Sequence, residues 1–129
     1  MRVLPDTNIF IDYWEDRNGI ADELENIFTE EEIVVCGAVK AELLHGAVSD
    51  KHLKSMEAML DAFEAINPEE EDWQLLGENL YKLRTHGVTV PLADAIIATV
   101  AVRNRIAVWT NDHHFKLMQG VLSDLEIRS

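Results

Sequence analysis

The chain has 129 residues, of which 47% are hydrophobic and 27% are charged, a balance typical of one globular domain and not of a disordered segment. Its formal net charge of −13 argues against a nucleic-acid partner, because phosphate binding depends on cationic side chains, and favours a basic protein partner, a bound metal ion or both. The single cysteine excludes an internal disulfide, and no apolar run is long enough to cross a membrane, so we expect a soluble, cytoplasmic protein.

Short apolar runs alternate with longer segments of helical periodicity. In chain order, these patterns predict a strand at 2–5, helices at 9–14 and 21–28, a strand at 33–36, helices at 39–48 and 51–63, a very short strand at 65–68, helices at 73–83 and 92–103, a strand at 106–109, a helix at 112–118 and an edge strand at 125–127. This alternation predicts an α/β fold in which helices cover both faces of a parallel sheet, within one domain spanning residues 1–129.

Three local features refine these elements. Cys36 lies in the apolar strand at 33–36, where we expect it to be a small buried hydrophobe. Gly87 is expected to end the 73–83 helix. The acidic run at 69–72 is expected to cap the first turn of that helix, since acids suit the positive end of the helix dipole.

Four acidic residues fall just beyond the predicted carboxyl ends of strands, where ligands collect in open α/β sheets. Asp6 directly follows the first strand, and Asp112 follows the strand at 106–109. Glu42 lies one turn into the helix after the second strand, and Asp94 lies in the first turn of the buried 92–103 helix. All four can reach the same edge of the sheet.

Asp94 gives the strongest local signal, because it shares one helix face with Ala98 and Ala101. Two alanines let that helix approach the sheet closely, so we expect the carboxylate to point inward. A buried charge costs several kcal/mol unless it is compensated, and it therefore needs a cation or hydrogen-bond donors. The alternative for Asp6, Asp94 and Asp112 is helix capping, and for Glu42 a solvated surface position.

Carboxylates that converge in one pocket repel each other, and a hard divalent cation resolves that conflict. Oxygen ligands suit Mg²⁺ or Mn²⁺, and such ions polarise a phosphoryl oxygen and lower the pKa of bound water. These are the requirements of phosphodiester hydrolysis. In this interpretation Asp6 is a ligand, and Thr7 and Asn8 hold it or the substrate in place.

Four motifs carry a family resemblance across nearly the whole chain: Leu4-Pro5-Asp6-Thr7-Asn8, Ala41-Glu42-Leu43-Leu44-His45-Gly46, Pro91-Leu92-Ala93-Asp94-Ala95-Ile96-Ile97-Ala98 and Thr110-Asn111-Asp112-His113-His114-Phe115. In order and spacing they resemble the PIN-domain ribonucleases, and most closely the small VapC-type toxins of prokaryotic toxin–antitoxin pairs. Pro5 departs from the pattern, because the family usually has an aliphatic residue there. A proline also removes a strand N–H, which puts the regularity of that strand end in doubt.

The resemblance implies a single PIN-like domain with a three-layer α/β/α architecture and a divalent-metal-dependent endoribonuclease activity. It also implies a homodimer, an RNA substrate and a cognate antitoxin that silences the enzyme. By this resemblance Asp6 and Asp94 ligate Mg²⁺ or Mn²⁺ directly, and Glu42 does so directly or through water. Asp112 ligates a second ion or acts through water, and the residue that matches Thr7 or Asn8 orients the first acid. Thr110 is assigned a supporting role.

Other functions remain open at this stage. An acidic interaction module without catalysis would use Met56, Met59 and Leu60 as a groove for a partner helix. A haloacid-dehalogenase-like phosphatase would need an acid where Asn8 stands, and a receiver domain would need a lysine after the strand at 106–109.

The adjacent residues His113 and His114 lack the spaced Cys or His partners of a structural zinc site, so we expect them at the surface. The acidic surplus persists outside the four predicted site acids, and RNA binding would then need local cations. The candidates are Lys82, Arg84, Arg103, Arg105 and Lys116.

Overall fold

A computed structural model describes residues 2–15, 25–27, 29 and 31–128. The strands bounded within these residues are β1 (Arg2–Pro5), β2 (Glu32–Cys36), β3 (Glu64–Ile66), β4 (Ala107–Trp109) and β5 (Ile127–Arg128). The helices are α1 (Thr7–Glu15), α2 (Gly37–His45), α3 (Asp50–Asp61), α4 (Asp72–Thr85), α5 (Leu92–Asn104) and α6 (His113–Gln119). The helix predicted at 21–28 lies largely outside the described residues.

The five strands form one sheet in the order β3-β2-β1-β4-β5, and every pairing is parallel. The chain moves outward from β1 to β3, crosses to the other side of β1, and then moves outward to β5. Because parallel crossovers are right-handed, the helices before β3 cover one face and those after it cover the other. The predicted three-layer architecture is therefore confirmed, with element bounds that differ from the predictions by a few residues.

The centre of the sheet is packed between large apolar side chains from both helical layers. Phe10 of α1 and Phe115 of α6 are fully buried, as is Leu4 of β1 between them in the sheet. Helix α5 was predicted to be buried on most sides, and its residues from Ile97 to Ala101 are each at most 1% exposed. Cys36 is buried as predicted. No helix in the described ranges is long and apolar enough to cross a membrane.

Pro5 fits at the end of β1 without breaking the ladder. β1 pairs with β2 through Arg2 and Val3, whereas its pairing with β4 extends to Pro5 and Trp109. The Asp6 N–H points to β4, and alternate residues of a strand point their N–H groups to opposite sides. The N–H that proline lacks would therefore face β2. Pro5 lies beyond the last residue pair between β1 and β2, so no ladder hydrogen bond is lost.

Gly37 joins the end of β2 to the segment after β3. Its N–H donates to the side-chain oxygen of Asn67 at 2.8 Å, and a Cβ at Gly37 would stand only 2.5 Å from that oxygen. A larger residue at this position would displace the Asn67 side chain and weaken this hydrogen bond. This contact fixes the start of α2, the helix that carries Glu42.

The acidic run at 69–72 lies at the start of α4 as predicted, and its last residue, Asp72, both accepts a backbone hydrogen bond there and makes an ion pair with another helix. Asp72 is only 1% exposed and accepts hydrogen bonds from the Glu69 N–H at 2.8 Å and from Arg103 Nε at 2.8 Å. These bonds hold the pKa of Asp72 below its usual value. The pair ties α4 to α5, so Arg103, one of the predicted RNA contacts, also has a structural role.

Helix α4 is amphipathic as predicted, but its first aromatic residue does not join the core. Leu76 and Leu83 are buried, whereas Trp73 is 51% exposed and Tyr81 is 62% exposed. The sequence pattern placed Trp73 on the apolar face because it precedes Leu76 by three residues. The structure leaves it at the edge of that face.

Helices α4 and α5 end in the same way, with a residue in the left-handed backbone conformation. Gly87 has φ of 76° and follows α4, where the Val88 N–H donates to the Leu83 carbonyl at 2.9 Å. Arg105 has φ of 55° and follows α5, where the Ile106 N–H donates to the Ala101 carbonyl at 2.9 Å. This geometry favours glycine, which has no Cβ to clash with the backbone. Gly87 thus ends α4 as predicted. At Arg105 the same backbone conformation is less favourable, because its Cβ crowds the backbone.

We predict opposite stability changes for two substitutions at these helix ends. Gly87→Ala should lower the free energy of unfolding by about 1 kcal/mol, because nothing crowds its Cβ position and only backbone strain opposes alanine. Arg105→Gly should raise it by about 0.5–1 kcal/mol by removing the same strain. Urea denaturation followed by circular dichroism measures both, and a loss of stability in Arg105→Gly would contradict this account.

Candidate metal centre

Asp6 is the first residue after the central strand β1 and is 3% exposed. Its N–H donates to the Trp109 carbonyl at 2.9 Å, which fixes its backbone against β4. One carboxylate oxygen accepts a hydrogen bond from the Thr7 N–H at 2.6 Å, and the other accepts one from the Thr110 hydroxyl at 3.0 Å. Both oxygens of this buried carboxylate therefore have a donor.

Thr110 connects Asp6 to the start of α6. Its hydroxyl donates to Asp6 and accepts a hydrogen bond from the Asp112 N–H at 2.9 Å. Its own N–H donates to the Arg128 carbonyl in β5 at 3.0 Å, and the residue is 1% exposed. A hydroxyl has a single proton, so the bond to Asp6 fixes the direction in which that proton points.

Glu42 reaches the same region from α2. Its Oε1 accepts a hydrogen bond from the Thr7 hydroxyl at 2.9 Å. Thr7 therefore donates to two acids, its N–H to Asp6 and its hydroxyl to Glu42. The Glu42 side chain is exposed, in contrast to Asp6.

Asp94 is buried at 8% exposure in the first turn of α5, as its spacing with Ala98 and Ala101 predicted. The pKa of Asp94 is raised to about 6, chiefly by burial and in addition by the negative charges of Asp6, Asp112 and Glu42, whereas His114 acts in the opposite direction. Burial likewise raises the pKa of Asp6, and this effect outweighs the hydrogen bonds from Thr110 and Thr7, which lower it, while the charges of Asp112 and Glu42 raise it by smaller amounts.

Asp112 is both a helix cap and a neighbour of the other acids. Its Oδ1 accepts a hydrogen bond from the His114 N–H at 2.9 Å, which caps α6 as the alternative interpretation predicted. Its charge nevertheless acts on Asp6 and Asp94. The structure thus brings all four predicted acids to one edge of the sheet, at the carboxyl ends of β1, β2 and β4.

The expectation that both histidines lie at the surface holds only in part for His114, whose ring is partly exposed while its Nδ1 is buried. Its Nδ1 lies 3.4 Å from Asp94 Oδ2 and 3.3 Å from Asp112 Oδ1, and its side chain is 31% exposed. The His113 side chain is 76% exposed and meets that prediction, although its Nδ1 lies 3.6 Å from Asp112 Oδ1. Sequence reasoning missed His114 because the backbone turn at Asp112 decides which of two adjacent rings faces the acids.

The remaining predicted residue, Asn8, is exposed at the start of α1. It lines a cleft of about 330 Å³ beside the acids, together with Asp12, Asn111 and Asp112. Two carboxamides and two carboxylates therefore share this cleft. The placement suits contact with a substrate better than support of Asp6, which Thr7 and Thr110 already provide.

Comparison with known families identifies the fold. The PIN domain family model matches residues 3–121, which include all four acids and nearly the whole chain. The chain belongs to the PIN domain family. The resemblance seen in the four sequence motifs is therefore confirmed. None of the curated proteins compared with the sequence matches it significantly.

Solved structures share this PIN fold over the full chain. DNA-bound VapBC from Salmonella typhimurium has a TM-score of 0.81 at 22% identity, covering 99% of this chain and 97% of the other. VapBC-1 from nontypeable Haemophilus influenzae has a TM-score of 0.80 at 22% identity, covering 100% and 98%. A toxin–antitoxin complex from Klebsiella pneumoniae has a TM-score of 0.70 at 27% identity, covering 97% and 99%.

The donor groups of this PIN domain fit a divalent cation. Two buried carboxylates, Asp6 and Asp94, stand beside further acids that disfavour their ionisation, and a cation would relieve that repulsion. Asp94, Asp112 and His114 offer ligand atoms that all lie within 4.8 Å of one another. The buried Nδ1 of His114 has no hydrogen-bond partner among the described residues.

We predict that the acid cluster destabilises the metal-free protein above the pKa of Asp94. A folded-state pKa raised from 3.8 to about 6 means that the folded protein binds protons more tightly than the unfolded chain. The free energy of unfolding should therefore fall as pH rises from about 4 to about 6, and this loss should persist at higher pH. Asp94→Asn should be more stable than the parent at about pH 7.5 by about 1–2 kcal/mol, after allowance for solvent screening.

Urea denaturation in EDTA at about pH 5 and about pH 7.5 measures this effect. Asp124→Asn is the matched control, because Asp124 is exposed and lies outside the cluster. It should keep the pH dependence of the parent. A parent protein no less stable at the higher pH, or an Asp94→Asn variant with unchanged pH dependence, would contradict the prediction.

Proposed function

We propose that this PIN domain is a divalent-metal-dependent endoribonuclease that hydrolyses RNA phosphodiester bonds, and that it is the toxin of a toxin–antitoxin pair. The observation that carries the proposal is the convergence of Asp6, Glu42, Asp94 and Asp112, two of them buried with raised pKa values. Family membership adds support, as do the VapBC and toxin–antitoxin complexes among the structural neighbours. This family likeness argues against the phosphatase and receiver alternatives.

In this proposal Asp6 and Asp94 hold Mg²⁺ or Mn²⁺ directly, while Glu42 and Asp112 contribute directly or through water. The bound ion supplies polarisation of a phosphoryl oxygen and a lowered pKa of water. The protein supplies the fixed positions of the carboxylates. The Thr110 hydroxyl donates to one oxygen of Asp6 and accepts from the Asp112 N–H. Thr110 is therefore a positioning residue that fixes Asp6 relative to Asp112.

The cleft that Asn8 and Asn111 line is the proposed approach for RNA, because carboxamides can bind phosphate oxygens and base edges without adding charge. Cations must offset the acidic surface nearby. Lys116 is exposed on α6, the helix that begins at the acids, and Arg84 is exposed on α4. Arg105 lines a separate cleft with two acids, Asp124 and Glu126. Because these acids offset its charge, we do not propose it as an RNA contact.

A second cleft, of about 240 Å³, is the proposed binding place for the antitoxin. Apolar side chains of three helices line it, together with the polar residues Glu15, Glu42 and His52; the apolar ones are Ile11, Trp14, Leu43 and Met56. An apolar segment would fill the cleft, and an arginine in that segment would reach Glu42 and the acids beyond it. Such an arginine would offset the same negative charge as the metal ion and thereby inhibit cleavage.

The acidic interaction module remains the second candidate function, and this apolar cleft is the observation that favours it. Met56 and Leu60 are buried, however, so the predicted methionine stripe contributes mainly to the core. Only Met59 of that stripe is half-buried, and its sulfur contacts Trp14 Nε1 at 3.0 Å. A module without catalysis would have no need of the buried acid cluster, and a cleavage assay separates the two functions.

We predict that the purified protein cleaves RNA with Mg²⁺ or Mn²⁺ and that EDTA abolishes the cleavage. Asp94→Asn should lower the rate on the order of 100-fold or more, because it removes a charge that holds the ion. Thr110→Val should lower the rate by roughly 10- to 100-fold, because it releases one oxygen of Asp6. Gel assays on structured and unstructured RNAs measure these rates.

Two matched variants control this experiment. Thr110→Ser keeps the hydroxyl and should retain activity near that of the parent, and Asp124→Asn changes an exposed acid outside the site. Circular dichroism verifies that each variant is folded. Cleavage that persists in EDTA, or that is equal in Asp94→Asn and the parent, would overturn the proposed mechanism.

We also propose that the protein is a homodimer that uses α4. Trp73, Gly77 and Tyr81 follow one another at intervals of four residues on one helix face, and nothing lies within 4 Å of a Cβ placed at Gly77. The Arg84 guanidinium lies 5.5 Å from the Tyr81 ring on the same helix. A dimer through this face would bury both exposed aromatics and bring Arg84 of each copy to the interface.

Sedimentation velocity tests the dimer directly. We predict a dimer for the parent protein and a monomer for Tyr81→Glu, because a buried unpaired acid in the interface is costly. Val48→Glu is the matched control, since Val48 is 86% exposed and lies outside α4. A parent protein that sediments as a monomer would exclude this interface.

A further inference from the structure

His114 presents an unsatisfied nitrogen to the acid cluster. Its Nδ1 is buried and has no hydrogen-bond partner among the described residues, although two carboxylate oxygens lie 3.3 and 3.4 Å away. Buried polar atoms of side chains are nearly always paired, so this orphan atom needs an explanation. A bound cation would supply the missing partner.

Two of the distances among these atoms are close to the spacing of neighbouring ligands on one ion. In an octahedron with metal–ligand bonds of about 2.1 Å, adjacent ligand atoms are about 3.0 Å apart. The distances from His114 Nδ1 to Asp94 Oδ2 and Asp112 Oδ1, 3.4 and 3.3 Å, are slightly longer than this value. All three ligand atoms lie within 4.8 Å of one another.

The backbone around His114 holds its ring in this position. The His114 N–H caps α6 by donating to Asp112 Oδ1, and the next residue, Phe115, is fully buried in the core. The ring therefore lies between a capped helix start and an anchored side chain. The neighbouring His113 ring stacks on it with a centroid separation of 4.6 Å and lies nearer the solvent.

We propose that His114 donates Nδ1 to the divalent ion that Asp94 and Asp112 also bind, so that this centre prefers Mn²⁺ to Mg²⁺. The proposal rests on the metal site of the proposed function and adds a nitrogen ligand to it. Magnesium binds oxygen ligands almost exclusively, whereas imidazole increases the affinity for first-row transition ions. The sequence alone, with its four acids, predicted only oxygen ligands and no preference between the two ions.

Mn²⁺ binding tests the proposal without any assay of catalysis. Electron spin echo envelope modulation of the Mn²⁺-loaded protein should show coupling to a directly bound histidine nitrogen. The coupling should be absent in His114→Ala, and the Mn²⁺ affinity of that variant, measured by isothermal titration calorimetry, should fall by about 10-fold or more. Its Mg²⁺ affinity, measured by competition with Mn²⁺, should change much less.

Two further variants complete the test. His113→Ala is the matched control, because it removes the adjacent and more exposed ring, and it should keep both the nitrogen coupling and the Mn²⁺ affinity. His114→Asp replaces the nitrogen with an oxygen donor and should lose the coupling while its preference moves toward Mg²⁺. Circular dichroism verifies folding of all three variants.

The outcomes separate this inference from the proposed function. Mn²⁺ that binds and supports RNA cleavage without nitrogen coupling would overturn the role of His114 and leave the nuclease intact. Nitrogen coupling that depends on His114 in a protein that cleaves no RNA would support the ligand and overturn the nuclease. A parent protein that binds no Mn²⁺ would overturn the inference, whatever ion supports cleavage.

Discussion

The site depends on the hydrogen bonds that hold the buried carboxylate of Asp6 in place. It stands at the end of the central strand, and donors from Thr7 and Thr110 satisfy both of its oxygens. Thr7 also donates to Glu42, and Thr110 also accepts from the Asp112 backbone. The hydrogen bonds that fix Asp6 therefore fix its neighbours as well. Carboxylates that would separate in a flexible chain are held together against their mutual repulsion.

The order of the strands explains how residues from distant parts of the chain reach this edge. With β1 in the middle of the sheet, the residues that follow β2 and β4 stand on either side of Asp6. Helix α5 begins at the same edge and contacts α2, which brings Asp94 into the group. An ion bound at this position, as proposed, would contact residues from both helical layers, and its binding would therefore stabilise the folded domain.

Much of this arrangement could be predicted from the sequence. Alternating short and long apolar segments specify the parallel sheet, and the acids after the strands specify the position of the site. Features that depend on tertiary contacts could not be predicted in this way. Nothing in the sequence distinguishes the ring of His114 from that of His113, and the acidic run before α4 gives no sign that Asp72 pairs with Arg103 across two helices. Local patterns report which face of an element is apolar, but not which polar groups meet between elements.

The contact between Gly37 and Asn67 links the outer part of the sheet to the site. Gly37 begins the helix that carries Glu42, and its N–H is bound to a side chain that follows the edge strand β3. A larger residue at 37 would displace the Asn67 side chain and break this bond, so the two positions, 30 residues apart in sequence, are coupled through one hydrogen bond. The start of the helix that carries Glu42 therefore depends in part on a side chain that follows the edge strand.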